Sequence, residues 1–160
     1  MSAPEVVIRD FQPGDAGAMV SVFAASVRGI GSKHYARDQV EAWASRAPAP
    51  ERFVDRAVEA RMLVAEVDGR LAAFSDVDAT GYIDFLYCRP EQAGRGVADR
   101  LVDALEAHAR SAGVPELTTN ASEAARSFFL RRGFDVVARR DFEIGGVRIH
   151  NYAMRKRLTD

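Results

Sequence analysis

The sequence predicts an α/β (α+β) fold: a mixed, largely antiparallel sheet flanked by helices. Two turn dipeptides, Asp68-Gly69 and Gly145-Gly146, each lie between strand-like segments and mark two hairpins. Between those hairpins, from Tyr82 to Arg132, strand and helix patterns alternate. With 160 residues, 48% of them apolar, the chain has material for one core, so a single domain over residues 1–160 is expected.

Val6-Val7-Ile8 reads as the first strand. Pro13-Gly14-Asp15 stops it and offers Asp15 as the N-cap of a helix. Met19, Val22, Phe23, Ser26 and Val27 then recur at three- and four-residue spacing, a buried stripe that ends at Gly29-Ile30-Gly31, where two glycines predict a flexible joint. Tyr35 to Trp43 and Arg52 to Val58 read as short helices parted by Ala47-Pro48-Ala49-Pro50. Arg61 to Val67 and Arg70 to Val77 are the arms of the first hairpin, and Tyr82 to Cys88 is a further strand. Ala93 to Ala112 is a long amphipathic helix, with Val97, Leu101, Val102 and Leu105 inward and His108 on the same side. Glu116 to Thr119 is a strand, Ser122 to Arg132 a helix, and Phe134 to Glu143 with Val147 to Arg155 the closing hairpin.

Composition removes several classes of function. The net charge of −1, with only two lysines among the basic residues and arginines scattered among acids, gives no counterion-releasing surface for nucleic acid. Cys88 is the sole cysteine, which excludes an internal disulfide and a thiolate metal cluster and suits a reducing compartment. The start, Met1 to Glu5, lacks the basic and apolar pattern of a signal peptide, and no apolar run is long enough to span a bilayer. The expected setting is cytoplasmic, without metal, membrane or nucleic acid.

The most informative stretch is Tyr87-Cys88-Arg89-Pro90-Glu91-Gln92-Ala93-Gly94-Arg95-Gly96-Val97-Ala98, in which a strand stops at a proline and a glycine-rich turn opens into a helix. Unpaired N–H groups and the positive end of the helix dipole make such a turn an anion site, and Gly94 and Gly96 allow close approach to the main chain. Taken alone, the glycines equally well serve a tight strand-to-helix turn.

Ala93-Gly94-Arg95-Gly96-Val97-Ala98 resembles the Gln/Arg-x-x-Gly-x-Gly/Ala signature of the GCN5-related N-acetyltransferase (GNAT) family, and Ser122 to Phe134, ending Arg132-Gly133-Phe134, resembles that family's fourth helix. The likeness runs from Ile8 to Leu158. It implies acetyl-coenzyme A as cosubstrate and a primary amine of a small molecule or peptide as acceptor. Leu86, Tyr87 and Cys88 would bind pantetheine through their main chain, Ala93, Gly94, Arg95, Gly96, Val97 and Ala98 the pyrophosphate, and Asn120, Ser122, Ser127 and Phe128 the pantetheine arm. Paired subunits are common in the family, so the resemblance leaves room for a homodimer.

Two positions depart from the pattern. Ala93 replaces the opening Gln or Arg, leaving Gln92 or Arg95 as substitute donors, and Phe129 stands where the family often has a tyrosine general acid. These departures keep open a coenzyme A-binding module without turnover, or a structural domain that has lost the ligand.

An alkylammonium acceptor must lose a proton before attack. Tyr82, Asp84, Leu86 and Cys88 share one strand face by the two-residue period, which makes Asp84 the first candidate base, although a salt-bridged strand residue is an equal reading. Tyr82, Tyr87 and Tyr152 are candidate acids, and His150, alternating with Tyr152, is a further candidate facing the acceptor. Ser122 is first an N-cap, and Cys88, lacking a His-acid pair, is first a small core side chain. Acceptor specificity is expected from Val27 to Trp43 and Arg140 to Tyr152, with Gly29, Gly31, Tyr35 and Trp43 as a mobile aromatic wall.

Overall fold

The computed structural model describes residues 3–158. Its elements are β1 (Val6–Asp10), α1 (Ala16–Gly29), α2 (Arg37–Ala44), α3 (Pro50–Glu59), β2 (Ala60–Val67), β3 (Arg70–Asp78), β4 (Tyr82–Ile83), β5 (Leu86–Cys88), α4 (Val97–Ser111), β6 (Glu116–Ala121), α5 (Glu123–Arg131), β7 (Asp135–Ile144) and β8 (Val147–Arg157). They make two four-stranded sheets, ordered β1-β2-β3-β5 and β4-β6-β8-β7. Every pairing is antiparallel except β4 with β6. This is the mixed, largely antiparallel sheet with flanking helices that the sequence predicts.

Because strand side chains alternate between faces, β2 feeds two cores. Leu63, Ala65 and Val67 pack with Val97, Leu101, Leu105 and Ala109 of α4. Met62 and Val64 pack instead with Val22, Phe23 and Val27 of α1 and Phe53 of α3. The five predicted stripe residues of α1 are all buried.

Several local expectations are corrected. Asp15 does not cap α1: its own backbone is helical, and its carboxylate accepts from the Gln12 amide at 2.8 Å and from both Arg9 guanidinium amines, at 2.8 and 2.9 Å. The Gly29 to Gly31 joint is a packing contact, since a Cβ on Gly29 would sit 2.3 Å from Pro90 Cγ and one on Gly31 3.2 Å from the Trp43 ring. The long helix begins at Val97 rather than Ala93, because Gly94 (φ 75°) and Gly96 (φ 81°) are left-handed and cannot continue a right-handed helix. His108 lies on the exposed face of α4, its Nδ1 3.4 Å from Arg61 Nη1, and the buried position belongs to Ala109.

The largest correction concerns Tyr82 to Cys88, which is two strands in two sheets. Tyr82 and Ile83 pair in parallel with Thr118 and Thr119, whereas Leu86, Tyr87 and Cys88 pair with Ser75, Phe74 and Ala73. The chain changes sheets at Asp84-Phe85, and side chains replace the ladder bonds it gives up there. Asp76 Oδ1 accepts from the Asp84 and Phe85 amides at 3.0 and 2.8 Å. Ser75 donates to the Phe85 carbonyl at 2.6 Å, Thr119 to that of Ile83 at 2.9 Å, and Arg56 to that of Tyr82 at 3.1 Å. Asp76, fully buried, also receives Arg56 Nε at 2.6 Å. Burial outweighs these donors and pushes its carboxyl up to about 6.

Candidate active site

The sheet change leaves β5 paired with β3 on one side only, so its other edge faces a gap before β6. A groove of about 220 Å³ fills that gap and runs to the start of α4, touching Leu86, Tyr87 and Cys88 on one side and Ser122, Ala125 and Phe128 on the other. At its far end lie Gln92, Ala93, Gly94, Gly96, Val97 and Ala98. A Cβ built on Gly94 or Gly96 meets nothing within 4 Å, so the space above this main chain is open. The amides of Val97, Ala98 and Asp99 precede the first helical bond, Arg100 N to Gly96 O at 3.1 Å, and are therefore free for a ligand. An open backbone cradle at a helix N-terminus fits a pyrophosphate, and the free edge of β5 fits an extended amide-bearing arm.

Sequence-predicted residues divide around this groove. Gln92 lines it, as does Arg131. Arg95 and Ser127 are exposed and belong to neither wall. Ser122 caps α5, its Oγ accepting from the Ala125 amide at 3.2 Å, and lines the groove as well. Gly133 (φ 90°) ends α5 with Phe134 N bonded to Phe129 O at 3.0 Å, and the Phe129 and Phe134 rings meet at 4.8 Å, which anchors the C-terminal end of α5. Burial pushes the Cys88 thiol up to about 11, so its thiolate is scarce and a nucleophilic role is disfavoured.

Trp43, Leu86, Tyr87, Ser122 and Ala125 also line a second cavity of about 180 Å³, which adjoins the groove. Its walls are mostly apolar, from Phe129, Phe142, Ile144 and Ile149, with Asp84, Asn120, His150 and Asn151 as polar points. Tyr87 shows in both spaces, its ring 4.7 Å from Phe23, and burial raises its phenol pKa. The expected aromatic wall is present but fixed: Tyr35 is buried, donates to the His150 carbonyl at 2.9 Å and accepts from the Glu123 amide at 2.8 Å.

Asp84 faces this second cavity, and Arg52 Nη2 holds its carboxylate at 3.1 Å, with Arg56 Nε at 4.0 Å. Tyr82 lies outside both cavities, its hydroxyl accepting from Asn120 at 3.3 Å and its ring under Arg56. Tyr152 also lies outside, donating to Glu123 Oε2 at 2.8 Å. That same Oε2 lies 2.5 Å from His150 Nε2. Sequence reasoning missed Asp76 and Glu123. An acid inside the apolar run Ala72 to Val77 was a usable signal, because a buried carboxylate demands partners. Glu123 gave none, since an acid in a helix's first turn is ordinary.

Among the described residues no group of three or more His, Cys, Asp or Glu is placed to hold a metal. An open anion cradle, a free strand edge and a lined cavity beyond it define an acyl-coenzyme A transferase. A family model described as an acetyltransferase (GNAT) domain matches residues 32–156. The chain belongs to the GNAT family and is an acetyl-coenzyme A-dependent N-acyltransferase. It is similar to an uncharacterized N-acetyltransferase, YafP, of Escherichia coli, 32% identical over 151 residues, covering 94% of this chain and 95% of that one. A GCN5-related N-acetyltransferase structure from Rhodopseudomonas palustris is 35% identical with a TM-score of 0.88, over 99% of this chain and 98% of that one. The fold is shared at 19% identity (TM-score 0.77, 96% and 99% coverage) by the PaiA N-acetyltransferase of Thermoplasma acidophilum, solved with coenzyme A. Membership decides for the transferase over a non-catalytic coenzyme A-binding module.

Proposed function

We propose that residues 1–160 work as one catalytic domain that acetylates the primary amine of a small apolar molecule. The carrying observation is the wall that the two spaces share at Leu86 and Tyr87: a groove ending in the α4 cradle adjoins an aromatic-walled cavity. Bound acetyl-coenzyme A supplies a thioester carbonyl open to attack. Leu86, Tyr87 and Cys88 bind its arm along the free β5 edge, Gly94, Gly96, Val97 and Ala98 hold the pyrophosphate, and Phe128 walls the groove. The apolar second cavity, about 180 Å³, accommodates a body near the size of benzene, which fills cavities of about 150 Å³.

In this reading Asp84, oriented by Arg52, attracts the acceptor ammonium. A cytoplasmic setting and pairing with a second copy belong to the same proposal. Both follow from the sequence features and the family resemblance; among the described residues no helix is long and apolar enough to cross a membrane.

Thiol release with acetyl-coenzyme A tests the reading. Arylalkylamines of about the cavity's size are expected to exceed polyamines and ethanolamine at least about 10-fold in kcat/KM, because apolar burial of a ring contributes roughly 1.5–3 kcal/mol. A flat response across the panel, or a preference for polycations, contradicts it. Asp84→Asn is expected to raise the amine KM about 10-fold with a smaller change in kcat, as loss of a charge-assisted hydrogen bond does. An unchanged KM removes the anchoring role.

A further inference from the structure

Four side chains from separate parts of the chain meet beside the second cavity, which Tyr35 and His150 line. Tyr35 comes from the segment before α2, Glu123 opens α5, and His150 and Tyr152 stand two apart on β8. Glu123 Oε2 takes two short bonds, from His150 Nε2 at 2.5 Å and Tyr152 at 2.8 Å, while its own amide donates to Tyr35, whose hydroxyl fixes the His150 carbonyl. The rings of Tyr35 and Tyr152 flank the imidazole at 5.5 and 5.6 Å.

A carboxylate carries no proton to give, so Nε2 bears the hydrogen in this contact, and in the neutral imidazole Nδ1 is then the acceptor. Among the described residues no group bonds Nδ1. Burial pushes the Glu123 carboxyl up, and the bonds from His150 and Tyr152, with Arg126 nearby, more than offset it, holding it below the ordinary range. The other charged groups around the imidazole are Asp141 opposite it on β7, with Arg139 and Arg148 on the same outer surface.

The geometry points to His150 as the base that takes the proton from the acceptor ammonium, with Glu123 as its positioning residue. This rests on the transferase reading and deepens it by separating two roles: Asp84 attracts the ammonium and His150 deprotonates it. The ammonium yields one proton to His150 Nδ1, and the freed nitrogen bonds to the acetyl carbon as the carbon–sulfur bond breaks. The nitrogen's second proton leaves with the thiolate sulfur, and the proton on His150 passes to water.

The test uses the full chain, acetyl-coenzyme A and the best amine of the panel. His150→Asn is expected to lower kcat about 100-fold, the usual contribution of general base catalysis. Its coenzyme A affinity by calorimetry stays as in the wild type, which also reports a folded variant, and its rate climbs only with the fraction of free amine. Glu123→Gln keeps a hydrogen-bond acceptor but no charge, so kcat falls less than in His150→Asn. Nitrogen-15 spectra of His150 show the Nε2 tautomer in the wild type and lose that bias in the glutamine variant. A turning-over wild type whose His150→Asn variant keeps both rate and profile overturns the base assignment alone. A wild type with no turnover on any amine overturns the transferase reading, and this assignment with it.

Discussion

Gly96→Val weakens coenzyme A binding by about 100-fold or more in calorimetric titration while leaving the chain folded. Gly96 is left-handed at φ 81°, a conformation that disfavours a branched side chain by about 1–2 kcal/mol. The larger effect is on the ligand. A Cβ there meets no protein atom within 4 Å, so it projects into the space where a phosphate must sit to reach the amides of Val97 and Ala98. Loss of two charge-assisted hydrogen bonds, each about 1.5–3 kcal/mol, amounts to two or more decades in affinity. Gly81→Ala is the control with the opposite signature. Its Cβ would lie 2.0 Å from the Glu116 carbonyl, so thermal stability drops, and any binding loss follows from unfolding. Unchanged affinity in Gly96→Val removes the pyrophosphate from the α4 cradle.

The contrast between these glycines shows what a sequence can disclose. The cradle is contiguous, Pro90 to Ala98, and its chemistry follows from local backbone rules, so the turn is legible without a structure. Ser122 and Gly133 are legible for the same reason, one capping α5 and the other ending it. The second cavity depends on contacts across long separations. Tyr35 reaches the Glu123 amide 88 residues away, and His150 reaches Glu123 over 27. No periodicity encodes such meetings. The two-residue period did place Asp84 beside Leu86 on the cavity wall, although the strand it assumed is broken between them. His108 was misplaced because a stripe of small and large apolar residues leaves the edge of its arc open, and Ala109 fills the position.

Asp76 makes the sheet change possible, and its removal is the second large effect. Asp76→Ala leaves the Asp84 and Phe85 amides unpaired inside the protein and takes one carboxylate from a buried Arg56. Removing one partner of a buried pair costs about 3–5 kcal/mol. Asp78 still holds Arg56 Nη1 at 3.1 Å, which favours the lower end, and about 3 kcal/mol corresponds to a fall in Tm of roughly 6–12 °C for a chain this long. Asp76→Asn separates the two tasks. Its amide oxygen can still accept from both main-chain donors, so β5 stays in place, but its NH₂ confronts Arg56 Nε across a contact of 2.6 Å. If the arm binds along β5 as proposed, coenzyme A affinity falls more in the alanine variant than in the asparagine one, since only alanine leaves the Asp84 and Phe85 amides beside that strand unpaired.

The same residue leaves a mark on pH dependence. A carboxyl raised to about 6 in the folded chain, against about 3.9 unfolded, binds its proton more tightly when folded, so stability declines as pH rises from about 4 to 6 and is flat beyond. Asp15, Asp78 and Glu123 are held below their ordinary range and act oppositely, their contribution being lost as pH falls below about 4. Denaturant titrations across this window should show the decline between about pH 4 and 6 in the wild type and its absence in Asp76→Asn. A decline that persists in the variant assigns the slope to another group and leaves Asp76 ionised throughout.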